Sequence, residues 1–317
     1  MHEGITGLPP AQAEFMERSI RDATSAGFYR ALGTGHDAFF HAGGNGLLVT
    51  FESLGDLVEE QERTTPLGQE LTRGTGCAHL AVLARRSDWF RSPDVYAFFD
   101  GLTDKGFFDD FDQVVFHGAG MGGYAAGAFS VAAPGATVIM IRPQATLDPR
   151  LAEWDPRFVS ARRLPFDTRY GHAPDMLDAA ERAFLFYDPE EEFDAMHAAL
   201  FHRPHVHRIR LRHLGRRPET HMAEMDILKP VIHSALRGTL SVLEVHRLWR
   251  ARQKYPFYLR RLMARLEDDD RAELARRVCN HVGTRLDSPC FPETRNRIEH
   301  LLENRLGRRL GDRINLV

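Results

Sequence analysis

Short apolar segments alternate with amphipathic helical segments along residues 11–215. The apolar segments lack period-two alternation, which is typical of parallel strands that are buried on both faces. This order of segments predicts an α/β fold with a doubly wound, mostly parallel sheet. The predicted strands are 46–54, 79–84, 112–118, 136–144, 182–189 and 205–215, and the predicted helices between and before them are 11–32, 92–111 and 123–135.

The pattern changes near residue 222. Beyond it, apolar residues recur at helical spacing, and the helices carry basic faces. We therefore divide the chain into an α/β domain, 1–222, and an α-helical extension, 223–317. Polar and aromatic residues at about 148–180 form a lid-like insertion between two predicted strands of the first domain.

Charge is divided unevenly between the two regions. The net charge is −9 over 1–222 and +6 over 223–317. Opposite charges favour association, so we expect the extension to support a homo-oligomer such as a dimer, or to contact a protein partner. Nucleic acid is not an expected partner, because the basic helices also carry the apolar residues of an ordinary packing face.

Composition excludes several classes of protein. The three cysteines, Cys77, Cys279 and Cys290, form no CxxC pair, which argues against a disulfide framework and predicts a cytoplasmic protein. No apolar run approaches about 18 residues, and the first residues lack a basic head, so neither a membrane span nor a secretory signal is expected. We also predict no metal site and no cofactor.

The stretch VVFHGAGMGGYAAGAFS, residues 114–130, joins an apolar strand to a small-residue helix through a run of glycines. Gly118, Gly120 and Gly123 match G-x-G-x-x-G, the turn that holds a dinucleotide such as FAD or NADP in oxidoreductases. That motif belongs on the opening strand and needs an acid about 20 residues later. Here strands precede it and the next strand ends with Arg142 and Gln144, so this function is retained only as an alternative.

The same stretch resembles the G-x-S-M-G-G-Y-A-A nucleophile elbow of the α/β-hydrolase superfamily, with Gly120 at the serine position. The resemblance covers roughly residues 45–222. It implies a triad in the order nucleophile, acid, histidine, which places Asp188 and His213 as acid and base. Asp194 and His221 are the alternative triad positions.

The stretch also resembles a group of uncharacterised proteobacterial proteins that share a GAGM-x-GYAA elbow, some of them automatically labelled phosphoadenosine phosphosulfate reductases. That reductase chemistry uses a cysteine in a K-E-C-G-x-H type of motif, and this sequence has none. The resemblance to this group implies that Gly120 is the natural residue.

Glycine cannot be acylated, so the ordinary serine mechanism is not available to this sequence. The expected remnant is an oxyanion-hole-like pocket formed by the N–H of Met121 and an N–H near Ser53. Such a pocket suits a small carbonyl or carboxylate ligand, which predicts a non-hydrolytic binding or scaffold protein or an atypical enzyme. The alternative is an active ester hydrolase that uses another nucleophile or has an altered residue 120.

Overall fold

The fold was analysed in a computed structural model, which describes residues 7–59, 65–268, 271–285 and 296. One eight-stranded sheet has the order β1-β2-β4-β3-β5-β6-β7-β8. β1 pairs antiparallel with β2, β2 pairs antiparallel with β4, and the other pairings are parallel. The strands are β1 Gly27–Leu32, β2 His36–His41, β3 Gly44–Ser53, β4 Cys77–Ala84, β5 Gln113–Ala119, β6 Thr137–Ile141, β7 Arg182–Tyr187 and β8 Val206–Arg210.

Helices connect the strands and follow the last of them. The α-helices are α1 Pro10–Ala26, α2 Leu54–Glu59, α3 Leu67–Thr72, α4 Pro93–Asp104, α5 Met121–Phe129, α6 Pro149–Ala152, α7 Ala173–Met176, α8 Glu192–Leu200, α9 Pro218–Glu224, α10 Leu228–Leu236, α11 Val242–Leu248, α12 Pro256–Asp268 and α13 Ala272–Arg285. Five short 3₁₀ helices are described as well: Phe107–Asp110, Ser130–Ala132, Pro156–Arg163, Leu177–Ala179 and Trp249–Lys254. None of the helices described is both long and apolar enough to cross a bilayer.

Both faces of the central strands β3 to β7 are buried, as the strand pattern predicts. Leu80 and Val82 of β4 pack into the large core cluster that also contains residues of α4 and α5. Their neighbours Ala81 and Leu83 point to the opposite face and pack against α1. Side chains alternate between faces along a strand, so a strand covered on both sides must be apolar throughout. The predicted α/β fold class, with helices in the C-terminal region, is confirmed.

The N-terminal hairpin differs from the prediction. Residues 11–32 were expected to form one helix, but α1 ends at Ala26 and β1 begins at Gly27. An added Cβ at Gly27 would lie 2.2 Å from the backbone oxygen of Phe40, so the close pairing of β1 with β2 requires glycine there. The pairing is a long-range contact, which helical periodicity does not report.

The chain forms two compact units, Met1–Val245 and His246–Val317. Within the first unit, α10 buries Leu228, Val231 and Ile232 and contacts β3 and β5, and the division of the chain near 222 stays a prediction. In the second unit, α12 and α13 pack through a small cluster that includes Met263 and Cys279. Residues 286–295 and 297–317, including Cys290, lie outside the described residues, and the expected partnership through 223–317 stays a prediction.

Candidate functional site

Gly120 forms the sharp turn between β5 and α5. Its φ of 54° and ψ of −119° lie in a region that side chains disfavour. The neighbouring glycines pack tightly. A Cβ added to Gly122 would lie 2.2 Å from the backbone oxygen of Phe51, and a Cβ added to Gly118 would lie 2.2 Å from the backbone oxygen of Gly122. This tight, closely packed glycine turn, residues 118–123, is the elbow of the structure, and its role as a nucleophile elbow stays a prediction. It follows the fifth strand of the chain, not an opening strand, which does not suit the dinucleotide alternative.

The guanidinium of Arg142 lies against the position that a side chain at residue 120 would occupy. An added Cβ at Gly120 would lie 3.1 Å from Nη1 of Arg142. Arg142 follows β6 and has a φ of 42°, a left-handed conformation that is uncommon for a residue with a side chain. Its Nε and Nη2 donate to the carboxylate of Glu219, with shortest distances of 2.9 and 2.6 Å. This two-point contact holds the guanidinium in place and directs Nη1 toward the elbow.

A cavity of about 520 Å³ opens at this edge of the sheet. Trp89 forms part of its wall, since its indole Nε1 donates to Gln144 at 3.2 Å and its ring packs edge-on against Phe158, 4.9 Å between centroids. Trp89 also has a positive φ. Trp89, Gly120 and Arg142, which follow the strands β4, β5 and β6, therefore all have backbones in this disfavoured region. Strained backbone at the carboxyl ends of parallel strands is typical of a ligand-binding crevice. The lining includes Ser53, Trp89, Gly120, Met121, Arg142 and Gln144.

Four of the predicted site residues line this cavity: Ser53, Gly118, Gly120 and Met121. Gly120 and Met121 form the elbow, and Ser53 ends β3 beside it. Met121 begins α5, so its N–H belongs to the first helical turn, which has no intrahelical acceptor. The structure therefore brings together the residues that were predicted to form an oxyanion-hole-like pocket.

Asp188 and His213 are not among the residues that line the cavity. The carboxylate of Asp188 accepts the N–H groups of Gly215 at 2.6 Å and Glu190 at 3.0 Å, so it holds two loops together. His213 has a φ of 67°, and its Nδ1 lies 3.0 Å from a carboxylate oxygen of Glu190. Asp188, the predicted acid, and His213, the predicted base, both contact Glu190. Their catalytic roles stay predictions.

The alternative triad positions also lie away from the cavity lining. Asp194 accepts from Arg157 at 2.7 Å, and Arg157 is also paired with the buried Asp155. This cluster joins the 148–180 insertion to α8. Nδ1 of His221 lies 3.2 Å from Glu224 on the same helix. In the part of the chain that the structure describes, no three His, Cys, Asp or Glu side chains are grouped to hold a metal ion.

A buried polar chain leads from the cavity into the sheet. The Thr50 hydroxyl donates to Glu52 at 2.6 Å, and Nε2–H of His79 donates to the Thr50 hydroxyl at 2.9 Å. Glu52 also accepts the N–H groups of Leu67 and Gly68 at the start of α3. Neither these hydrogen-bonded side chains nor Glu219 was predicted from the sequence. Thr50 and His79 each interrupt an apolar strand, which is a signal of a satisfied buried polar group, whereas nothing in the sequence marks Glu219.

His79 makes stability sensitive to acid. Burial lowers its pKa to about 3, whereas an unfolded chain binds this proton near pH 6.5. The unfolded state therefore holds more protons between these values, and stability falls as the pH is lowered through them. The His79→Gln variant keeps a donor for Thr50 without the proton uptake. We expect its unfolding free energy to depend less steeply on pH between about 6 and 4, by up to about 1.4 kcal/mol per pH unit.

Urea unfolding at a series of pH values measures this slope. His202→Gln, at an exposed position, is the matched control and should leave the slope as it is in the unmodified protein. A His79→Gln slope equal to that of the control would contradict the assignment of acid sensitivity to His79.

The known proteins that are similar to this chain are solved structures of low sequence identity. No protein-family model matches the chain, and no curated protein matches it. Est1E from Butyrivibrio proteoclasticus is similar at 12% identity and a TM-score of 0.43, over 69% of this chain and 98% of that one. The capsule O-acetyltransferase of Neisseria meningitidis serogroup A is similar at 11% identity and a TM-score of 0.39, over 60% and 89%.

The Glycosylation Associate Protein (Gap123) complex from Streptococcus agalactiae is similar at 15% identity and a TM-score of 0.42, over 62% of this chain. The alignment spans 44% of that chain's length.

Proposed function

We propose that this chain is a binding protein that holds a small carboxylate at the elbow and does not hydrolyse esters. The observation that carries the proposal is the 3.1 Å between Nη1 of Arg142 and the position of a Cβ on Gly120. A guanidinium occupies the space beside the vacant nucleophile position. A cation there suits a ligand with a negative charge and replaces the group that would attack an ester.

Two kinds of donor converge on the proposed carboxylate. The first turn of α5 presents N–H groups, including that of Met121, and the positive end of the helix dipole. Nη1 of Arg142 adds a charged donor, and it has no hydrogen-bond partner within the described residues. Charged donors and helix N-termini are the usual partners of carboxylates in proteins. Together they support anion binding more strongly than binding of a neutral carbonyl.

Binding of acetate and propanoate, measured by calorimetry, tests the proposal together with a panel of p-nitrophenyl esters. We expect the unmodified protein to bind the carboxylates and to leave the esters intact. Ester hydrolysis that is lost in His213→Ala would overturn the proposal and favour the alternative of an active hydrolase. Absence of carboxylate binding would also overturn it.

Gly120→Ala should weaken acetate binding about tenfold, because the new methyl group occupies the space between the elbow and Arg142. Gly135→Ala is the matched control. Gly135 also has a positive φ, 85°, so alanine is strained there too, but nothing lies within 4 Å of the added Cβ. Acetate affinities that fall equally in both variants would show that strain, rather than the elbow, controls binding.

A further inference from the structure

His117 lies in the middle of β5, three residues before Gly120, and is 2% exposed. Its Nδ1–H donates to the backbone oxygen of Ile139 at 3.1 Å, which leaves a lone pair on Nε2 of the neutral ring. Burial lowers the pKa of His117 to about 4, so the ring is neutral near pH 7. His117 lines the cavity, and its Nε2 has no hydrogen-bond partner within the described residues. It is an unpaired acceptor at the cavity, on a side chain that is otherwise buried.

Thr220 supplies the complementary group. It belongs to α9, next to Glu219, and lines the same cavity. Its hydroxyl is buried without a partner in the part of the chain that the structure describes. Thr220 and His117 thus line one cavity, and each has a polar atom without a hydrogen-bond partner among the described residues. A ligand hydroxyl satisfies both groups, since it can donate to Nε2 and accept from Thr220.

We propose that the cavity binds a short hydroxycarboxylate, such as 4-hydroxybutanoate. The carboxylate lies at the elbow beside Arg142, and the hydroxyl donates to Nε2 of His117 and accepts from Thr220. This inference rests on the proposed carboxylate site and adds the part of the ligand that determines specificity. His117 and Thr220 act as specificity-determining residues, because a ligand with a methyl group in place of the hydroxyl leaves both polar groups unsatisfied.

Calorimetric titration with 4-hydroxybutanoate and pentanoate tests the inference, since the two ligands differ by a hydroxyl in place of a methyl group. We expect the unmodified protein to bind 4-hydroxybutanoate about tenfold more tightly. His117→Asn keeps a donor for the oxygen of Ile139 but places no acceptor at the position of Nε2. The preference for 4-hydroxybutanoate over pentanoate should therefore fall to near one, while the affinity for pentanoate stays within about twofold of that of the unmodified protein. Thr220→Val should reduce the same preference.

Each result has a separate meaning. Equal affinities for the two ligands in the unmodified protein would overturn this inference and leave the carboxylate site standing, as would a tenfold preference that persists in His117→Asn. If neither ligand binds, the proposed function itself fails, and the inference fails with it. Circular dichroism of each variant checks that the fold is retained, and the comparison in the unmodified protein does not depend on any variant.

Discussion

Replacing Gly122 by alanine will destabilise the first compact unit by about 3 kcal/mol. The added Cβ would lie 2.2 Å from the backbone oxygen of Phe51 and 3.1 Å from its carbonyl carbon. Because β3 is a central strand of the sheet, its backbone cannot move away without loss of the hydrogen bonds to β4 and β5. Helix α5 must shift instead, which disturbs the elbow. Urea unfolding followed by circular dichroism measures the loss.

Gly101→Ala is the matched control for this prediction. Gly101 also lies inside a helix, α4, but nothing lies within 4 Å of its added Cβ. Alanine there should stabilise the protein by about 0.5–1 kcal/mol, because it lowers the backbone entropy of the unfolded chain. A Gly122→Ala variant as stable as the unmodified protein would show that the elbow does not need its close contact with β3.

Arg142→Gln should weaken acetate binding by one to two orders of magnitude. The change removes a charged donor beside the elbow, and a hydrogen bond to a charged group contributes about 1.5–3 kcal/mol. It also leaves the carboxylate of Glu219, whose side chain is 16% exposed, without its guanidinium partner. The double variant Arg142→Gln, Glu219→Gln corrects for this loss, and it should be folded but equally poor in binding. Calorimetry measures both affinities.

Glu219→Gln should change the affinity in the opposite direction. Glu219 holds Nε and Nη2 of Arg142, so it competes with a ligand carboxylate for the guanidinium. A neutral amide weakens that competition, and acetate affinity should rise about tenfold. If acetate binds equally well to the unmodified protein, Arg142→Gln and Glu219→Gln, the guanidinium plays no part in the site and the proposed function is wrong.

Much of the fold was predictable from local pattern. The strands that form β3 to β7 are short apolar runs, and their buried side chains on both faces produce the pattern that was used to find them. The hairpin β1–β2 was not predictable in the same way, because its first strand continues the polar pattern of α1. The helices after residue 222 were assigned to the extension, although α10 packs on the sheet. Periodicity shows which face of a helix is apolar, but not what that face contacts.

The amino-acid sequence by itself determined the elbow, since the glycines at 118, 120, 122 and 123 are needed where the backbone of one short segment approaches its neighbours. It also determined the absence of a nucleophilic side chain at residue 120. Only the tertiary structure decided what lies beside that position. The contact between Arg142 and Glu219 joins residues 77 positions apart, and the left-handed backbone of Arg142 aims its side chain at the elbow. Contacts between separate loops depend on loop conformations that neither composition nor periodicity records.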